Sequence, residues 1–130
     1  MVDSNTPYKV MEQEKQAYLE NLREPKADWP KDIQMVYNDI KSHLFDLGLE
    51  VNDIIDRCGI RNNNISTRFK YFVGNGPKDY ILKHRILLAK TLLQINDIKV
   101  GEVALALGFG NPSAFTRAFK KRIDCSPREY

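Results

Sequence analysis

The sequence contains little cysteine and no long apolar segment. Only two of its 130 residues, Cys58 and Cys125, are cysteines, so neither a disulfide framework nor a cysteine-based metal cluster is expected. No apolar run approaches the ~20 residues that a membrane-spanning helix needs, and Met1–Thr6 lacks the basic and then apolar order of a signal peptide. These absences predict a cytoplasmic protein with one compact domain and a tail.

Catalytic and metal-binding patterns are missing as well. The two histidines, His43 and His84, stand isolated in the sequence, so we expect them at the surface or at the edge of the core and expect no metal. No Ser-His-Asp, Cys-His or paired-carboxylate arrangement is legible, and Gly74-Asn75-Gly76 is typical of a turn rather than of a phosphate-binding loop. We therefore expect neither an enzyme nor a cofactor.

Charge is unevenly distributed along the chain. The formal net charge is only +3, yet residues 1–56 carry six Lys and Arg against twelve Asp and Glu, a net charge of −6. Residues 57–130 carry fourteen against five, a net charge of +9. A basic half beside an acidic half is expected when one part of a protein faces phosphates. An ordinary solvated helix face is the alternative, and charge alone does not decide between them.

The sequence repeats itself at an interval of about fifty residues. Val51–Tyr80 can be laid over Val100–Tyr130 so that apolar and special residues coincide. A dense self-match of this kind indicates two copies of one supersecondary unit. The matched pairs include Ile54 with Val103, Gly59 with Gly108, Ile65 with Phe115, Phe69 with Phe119 and Tyr80 with Tyr130.

Each unit reads as helix, tight turn, helix. The first helices are predicted at Val51–Cys58 and Val100–Leu107, and each is followed by a glycine that permits a left-handed turn. In the second unit Asn111-Pro112 is a strong signal for the start of a helix. The matching stretch of the first unit, 61–64, offers candidate caps without a proline, so its helix start is less sharply defined.

The remaining segments are also predicted to be helical or irregular, and no segment alternates with the period of two that a strand requires. A weak amphipathic helix is predicted at Tyr8–Glu24, and a boundary near Pro30 separates an arm or linker, residues 1–30, from a domain at 31–130.

Further helices are predicted at Ile33–Leu44 and from Pro77 to about Gln94, the latter joining the two units with Leu87 among its inward residues. A last helix is predicted to begin at residues 126–129, which form a capping-box sequence. The expected fold class is all-α.

The second helix of each unit has an apolar face for the core and a polar face for another partner. A helix of this size fits the major groove of DNA, where hydroxyls, amides and guanidinium groups meet base edges and lysines meet phosphates. The polar faces comprise Asn63, Ser66, Thr67 and Lys70 in the first unit, and Ser113, Thr116, Arg117, Lys120 and Lys121 in the second.

The stretch Ile98–Tyr130 resembles the signature of AraC/XylS-type transcription regulators. The matching residues are Val103-Ala104, Leu107-Gly108-Phe109, Phe115, Arg117, Phe119-Lys120 and Ser126-Pro127. The resemblance continues upstream through Arg85, Ala89 and Leu92-Leu93 and, more loosely, to about Val36, and so covers roughly the last hundred residues.

The resemblance implies two helix-turn-helix subdomains joined by one long helix and bound to adjacent major grooves of a promoter. It implies the base-facing residues Asn63, Ser66, Thr67, Pro112, Ser113, Thr116 and Arg117. Lys70 and Lys121 complete the expected DNA-binding set. RNA polymerase is a further possible partner, and no effector domain is legible.

Departures from the family pattern fall mostly in the first unit. Ile55 stands where the family usually has alanine, Arg61 where it usually has a serine cap, and Thr67 where arginine is common. Asp124 replaces a common glycine, which a left-handed aspartate tolerates at some cost. Base reading is therefore expected more of the second unit than of the first.

Two other functions fit the same fold. A helical adaptor would bind another protein, and the acidic half and the arm give that alternative some support. A nonspecific packaging protein would bind random duplexes with equal affinity. The main prediction remains a sequence-specific transcription regulator.

Overall fold

The described part of the chain contains seven α-helices. The computed structural model describes residues 6–130, in which no strand occurs. None of these helices is long and apolar enough to span a bilayer. The all-α prediction is therefore confirmed. The helices are α1 (Pro7–Glu20), α2 (Lys31–His43), α3 (Val51–Arg57), α4 (Ile65–Val73), α5 (Pro77–Leu92), α6 (Val100–Ala106) and α7 (Pro112–Ile123).

The sequence repeat is also a repeat of backbone geometry. Between residues 6 and 130, the six residues with left-handed φ form three pairs separated by 49 or 50 positions. Because one member of the first pair follows α2 and the other follows α5, each unit has three helices, α2–α3–α4 and α5–α6–α7. The sequence comparison had identified only the last two helices of each unit. The pairs are Gly48 with Asp97, Gly59 with Gly108 and Gly74 with Asp124.

The same hydrogen bonds close the turn of both units. The amide of Ile60 donates to the carbonyl of Ile55 at 3.1 Å, and the amide of Phe109 donates to the carbonyl of Ala104 at 3.0 Å. Each bond spans a glycine in the left-handed region, where a residue with a side chain is strained. The predicted tight turns are confirmed.

One continuous hydrophobic core runs through both units. The scaffold residues predicted from the repeat are at most 2% exposed, apart from Ile55, which is half-buried. Residues of α5 lie between the two sets and join them. The fully buried members of the predicted sets are Ile54, Ile65, Phe69, Val103, Ala104, Phe115 and Phe119.

Helix α1 packs on the connecting helix α5. Met11 is buried at 4% exposure, and the hydroxyl of Tyr18 lies 2.6 Å from Nδ1 of His84. Burial raises the pKa of Tyr18 to about 12 and, together with the charge of Lys83, lowers the pKa of His84 to about 4. His84 is thus a core-edge residue, as predicted. The helix predicted to end at Glu24 ends at Glu20, and the boundary near residue 30 stays a prediction.

Two details of the predicted helices are corrected. Leu87 was expected to face inward, but it is 40% exposed, because α5 is covered on only part of its circumference. The C-terminal segment forms its capping box, with Ser126 N 2.9 Å from Glu129 Oε1 and Glu129 N 3.2 Å from Ser126 Oγ, but only one turn follows.

Candidate nucleic-acid interface

The start of α7 is fixed by side-chain chemistry that the sequence predicted. Oδ1 of Asn111 accepts a hydrogen bond from the amide of Ala114 at 2.8 Å, which satisfies one of the free amides of the first turn. Pro112 occupies the first position of the helix, where no amide hydrogen is needed. The first turn, which carries Ser113, is therefore well defined at the surface.

The start of α4 is less well defined. Asn64 lies at the N-cap position, but its side chain makes no capping hydrogen bond. Asn63, which was predicted on the polar face of the helix, lies in the turn before it. Because α4 begins only at Ile65, residues 62–64 precede the helix and are not part of it.

The candidate DNA-binding residues lie on the outer faces of α4 and α7 or immediately before α4. Phe69 and Phe119, which anchor the two helices, have no exposed surface. Thr116 is half-buried, and the other eight candidates are exposed. The exposed candidates are Asn63, Ser66, Thr67, Lys70, Pro112, Ser113, Arg117 and Lys121.

Ion pairs decide which cations near the two helices are available to a ligand. Arg68 on α4 donates to both carboxylate oxygens of Asp32, and this pairing lowers the pKa of that carboxyl. Arg122 on α7 is paired with Asp79 of α5. Both arginines therefore connect the third helix of a unit to the first helix of the same unit.

The second unit presents the stronger positive surface. Arg117, Lys120 and Lys121 are exposed and take part in none of the ion pairs found between residues 6 and 130. On α4 only Lys70 is in the same situation, because Arg68 is paired. Unpaired positive charge is consequently concentrated on α7.

Arg85 of α5 fixes the position of one unit relative to the other. Its guanidinium donates to the carbonyls of Leu44 at 2.8 Å and Asp46 at 3.0 Å, which belong to the first unit, and to the carbonyl of Gly108 at 3.3 Å in the second. The side chain is 5% exposed, and burial lowers its pKa to about 10, so it stays charged at neutral pH.

One surface residue of α4 was missed by the sequence reasoning. Tyr71 is 81% exposed and lies on the outer face of the helix, one turn after Thr67. The repeat contained the signal, since an offset of fifty residues aligns Tyr71 with the predicted DNA-binding residue Lys121.

Other chemistry is sparse in the described chain. Between residues 6 and 130, no group of three His, Cys, Asp or Glu residues is arranged to hold a metal ion. Cys58 and Cys125 are free thiols, both half-buried, and burial raises the pKa of the Cys58 thiol.

Comparisons with known proteins agree with this geometry. Residues 54–130 match the family described as a helix-turn-helix domain. The putative HTH-type transcriptional regulator YkgA of Escherichia coli K12 is 31% identical over 113 residues, which are 87% of this chain and 47% of YkgA. The HTH-type transcriptional regulator AlkR of Acinetobacter baylyi is 30% identical over 80 residues, which are 62% of this chain and 26% of AlkR.

A solved structure shares the arrangement of helices. The DNA-binding domain of AdpA, a global transcriptional factor crystallised in complex with a target DNA, superposes with a TM-score of 0.66 and 26% identity over 74% of this chain and 88% of that domain. The chain spans about half or less of the length of YkgA and AlkR. The family match covers more than half of the chain, which belongs to the AraC/XylS-type family of helix-turn-helix transcription regulators.

Proposed function

We propose that this chain binds promoter DNA with α4 and α7 in two successive major grooves on one side of the duplex. The observation that carries the proposal is the duplicated three-helix unit, whose third helix, α4 or α7, has an exposed polar face in both copies. The AdpA domain, similar in fold and 26% identical, was solved with a target DNA. Two such helices about one helical turn apart, ~34 Å, suit one face of B-form DNA.

The side chains divide into those that read bases and those that bind phosphates. Arg117 is the strongest base-reading candidate, because a guanidinium can donate two hydrogen bonds to a guanine edge. On α4, the hydroxyls of Ser66 and Thr67 face the bases of one major groove. On α7, the hydroxyls of Ser113 and Thr116 face the bases of the next major groove. Pro112 and Asn63 lie at the starts of the two helices and face the bases as well, with a phosphate contact as the alternative for Asn63.

Electrostatic attraction sets the strength of binding in this proposal. Lys121 and Lys70 meet phosphates, and each released counterion makes the affinity more dependent on salt. The second unit supplies more unpaired cations than the first, so it contributes more of the nonspecific affinity.

Regulation at a promoter completes the proposal. A protein with this role acts in the cytoplasm of a bacterial cell, where promoter DNA lies, and contact with RNA polymerase is one route by which it changes transcription. AlkR and YkgA are both named as transcriptional regulators. These names support a regulator and do not favour the alternative of a helical adaptor.

Selection of bound oligonucleotides followed by a spacing test examines this proposal. The chain is incubated with a random pool, and the selected site is then lengthened by five base pairs between its two halves. Because Arg85 holds the units together, we expect the affinity to fall to that of a half-site. The same insertion outside the site is the control. Unchanged affinity after the inner insertion, or equal affinity for random duplexes, would contradict the proposal.

A further inference from the structure

Tyr71 has the largest exposed fraction of any large hydrophobic residue between positions 6 and 130, at 81%. A single exposed tyrosine identifies no binding site, since scattered apolar residues are normal on protein surfaces. The position of Tyr71 in α4 is what makes it informative.

Tyr71 lies on the same side of α4 as the candidate base-reading residues. Residues four apart are neighbours on a helix surface, so the side chain of Tyr71 lies one turn beyond that of Thr67. Ile65 and Phe69 are buried at 2% and 0% exposure on the opposite side. Tyr71 therefore extends the exposed face of α4 toward the C-terminus of the helix.

The repeat shows what the second unit has at the same place. The offset that aligns Phe69 with Phe119 also aligns Tyr71 with Lys121. One unit thus presents a cation and the other an aromatic ring. The neighbouring Arg68 does not replace the missing charge, because it is paired with Asp32.

The ring of Tyr71 has one aromatic neighbour among the described residues. It contacts the ring of the half-buried Phe72 edge-on, with centroids 4.9 Å apart and planes at 90°. Such a contact limits the freedom of the side chain before binding, which lowers the entropy cost of ordering it in a complex.

We propose that Tyr71 selects thymine by packing its ring against the 5-methyl group in the major groove that α4 enters. This inference rests on the proposed function and deepens it. Thymine carries the only methyl group on the major-groove edges of the four bases, and apolar side chains recognise it by contact. The first unit then reads an apolar feature where the second unit binds a phosphate.

Comparative selection tests this inference. The parent chain, Tyr71→Ala, Tyr71→Phe and the control Tyr8→Ala are each used to select duplexes from one random pool. Tyr8 is a suitable control because it is 69% exposed but lies on α1. We expect Tyr71→Ala to lose a thymine preference at one or two positions and Tyr71→Phe and Tyr8→Ala to keep it.

Replacement of each selected thymine by deoxyuridine, which lacks the methyl group, then isolates the contact. We expect the parent and Tyr71→Phe to lose about fourfold in affinity at the same one or two positions, the factor for burying one methyl-sized group. Tyr71→Ala is expected to be insensitive to that replacement.

Three results would overturn the inference. Equal losses in Tyr71→Ala and Tyr71→Phe, with no effect of deoxyuridine, would assign the hydroxyl to a phosphate instead. Identical selections by all four proteins would remove Tyr71 from the interface. A parent chain that selects no sequence would overturn the proposed function as well, which distinguishes that failure from the other two.

Discussion

Gly108→Ala tests how tightly the two units are held together, and Gly59→Ala is its internal control. Gly59 follows α3 and Gly108 follows α6, each with positive φ, 69° at Gly59 and 93° at Gly108. An added Cβ at Gly59 has no atom within 4 Å, whereas at Gly108 it would lie 2.7 Å from Nη2 of Arg85 and 2.8 Å from the carbonyl oxygen of Asp46. Only Gly108 adds a steric conflict to the backbone strain.

The magnitudes of the two effects differ enough to be measured. A left-handed backbone at a residue with a side chain costs roughly 1–2 kcal/mol, and this is the whole expected cost of Gly59→Ala. At Gly108 the guanidinium must also move away from carbonyls that it contacts at 2.8–3.3 Å. Because a hydrogen bond from a charged donor contributes roughly 1.5–3 kcal/mol, we expect Gly108→Ala to cost about 3–5 kcal/mol.

Urea unfolding followed by circular dichroism measures both costs. Gly108→Ala should lower the free energy of unfolding by roughly 1.5–3 kcal/mol more than Gly59→Ala. It should also weaken binding to a duplex with both half-sites more than binding to one half-site, since the relative position of the units is disturbed. Equal costs for the two variants would refute the role given to Arg85.

Further predictions concern the interface, a cap and pH. Arg117→Ala should weaken specific binding by roughly 1–3 kcal/mol, whereas Lys121→Ala should mainly reduce the slope of log affinity against log salt by about 1; titrations at several salt concentrations check both, and parent-like behaviour of the two variants would contradict the interface. Asp124, with φ of 68°, is aligned with Gly74, so Asp124→Gly should stabilise the fold by about 0.5 kcal/mol in urea unfolding, and destabilisation would contradict the strain argument. Burial, with the charge of Lys83, lowers the pKa of His84 from 6.5 to about 4, so the unfolded chain binds the proton more readily and stability is lost as the pH falls from 6.5 toward 4. The loss should be at most about 2 kcal/mol after allowance for solvent screening, and His84→Phe should flatten it in unfolding curves at pH 7 and pH 5; an unchanged slope would contradict the assignment to His84.

The sequence was most informative where local backbone chemistry recurs. Gly59 and Gly108 marked both turns, and Asn111-Pro112 marked the start of α7, because each residue type is required by the conformation at its own position. The repeat also aligned the buried Phe69 with Phe119. The fold class and the positions of α4 and α7 followed from these residues.

Contacts between distant segments could not be predicted in the same way. Arg68 is paired with Asp32 and Arg122 with Asp79, partners 36 and 43 residues apart in sequence. The local sequence does not distinguish a free arginine from a paired one, because both stand in the same helical pattern. The packing of Tyr18 on His84 depends in the same manner on how α1 folds back.

Two misses had signals that were present in the sequence. Tyr71 is aligned with the predicted DNA-binding residue Lys121 by the repeat, which places it on the outer face of its helix. Asp97 is aligned with Gly48, and recognition of a left-handed aspartate there would have extended the repeat to α2 and α5. Both signals follow from the repeat when every residue is compared with the residue 49 or 50 positions further along the chain.

Methylation interference on the selected duplex tests most directly whether two recognition helices enter successive major grooves. Methyl groups at guanine N7 lie in the major groove and those at adenine N3 lie in the minor groove. We predict that guanine methylation blocks binding in two patches about 10 base pairs apart on one face of the duplex, with adenine methylation inside those patches without effect. A single patch, two patches on opposite faces, or interference confined to the minor groove would contradict the account.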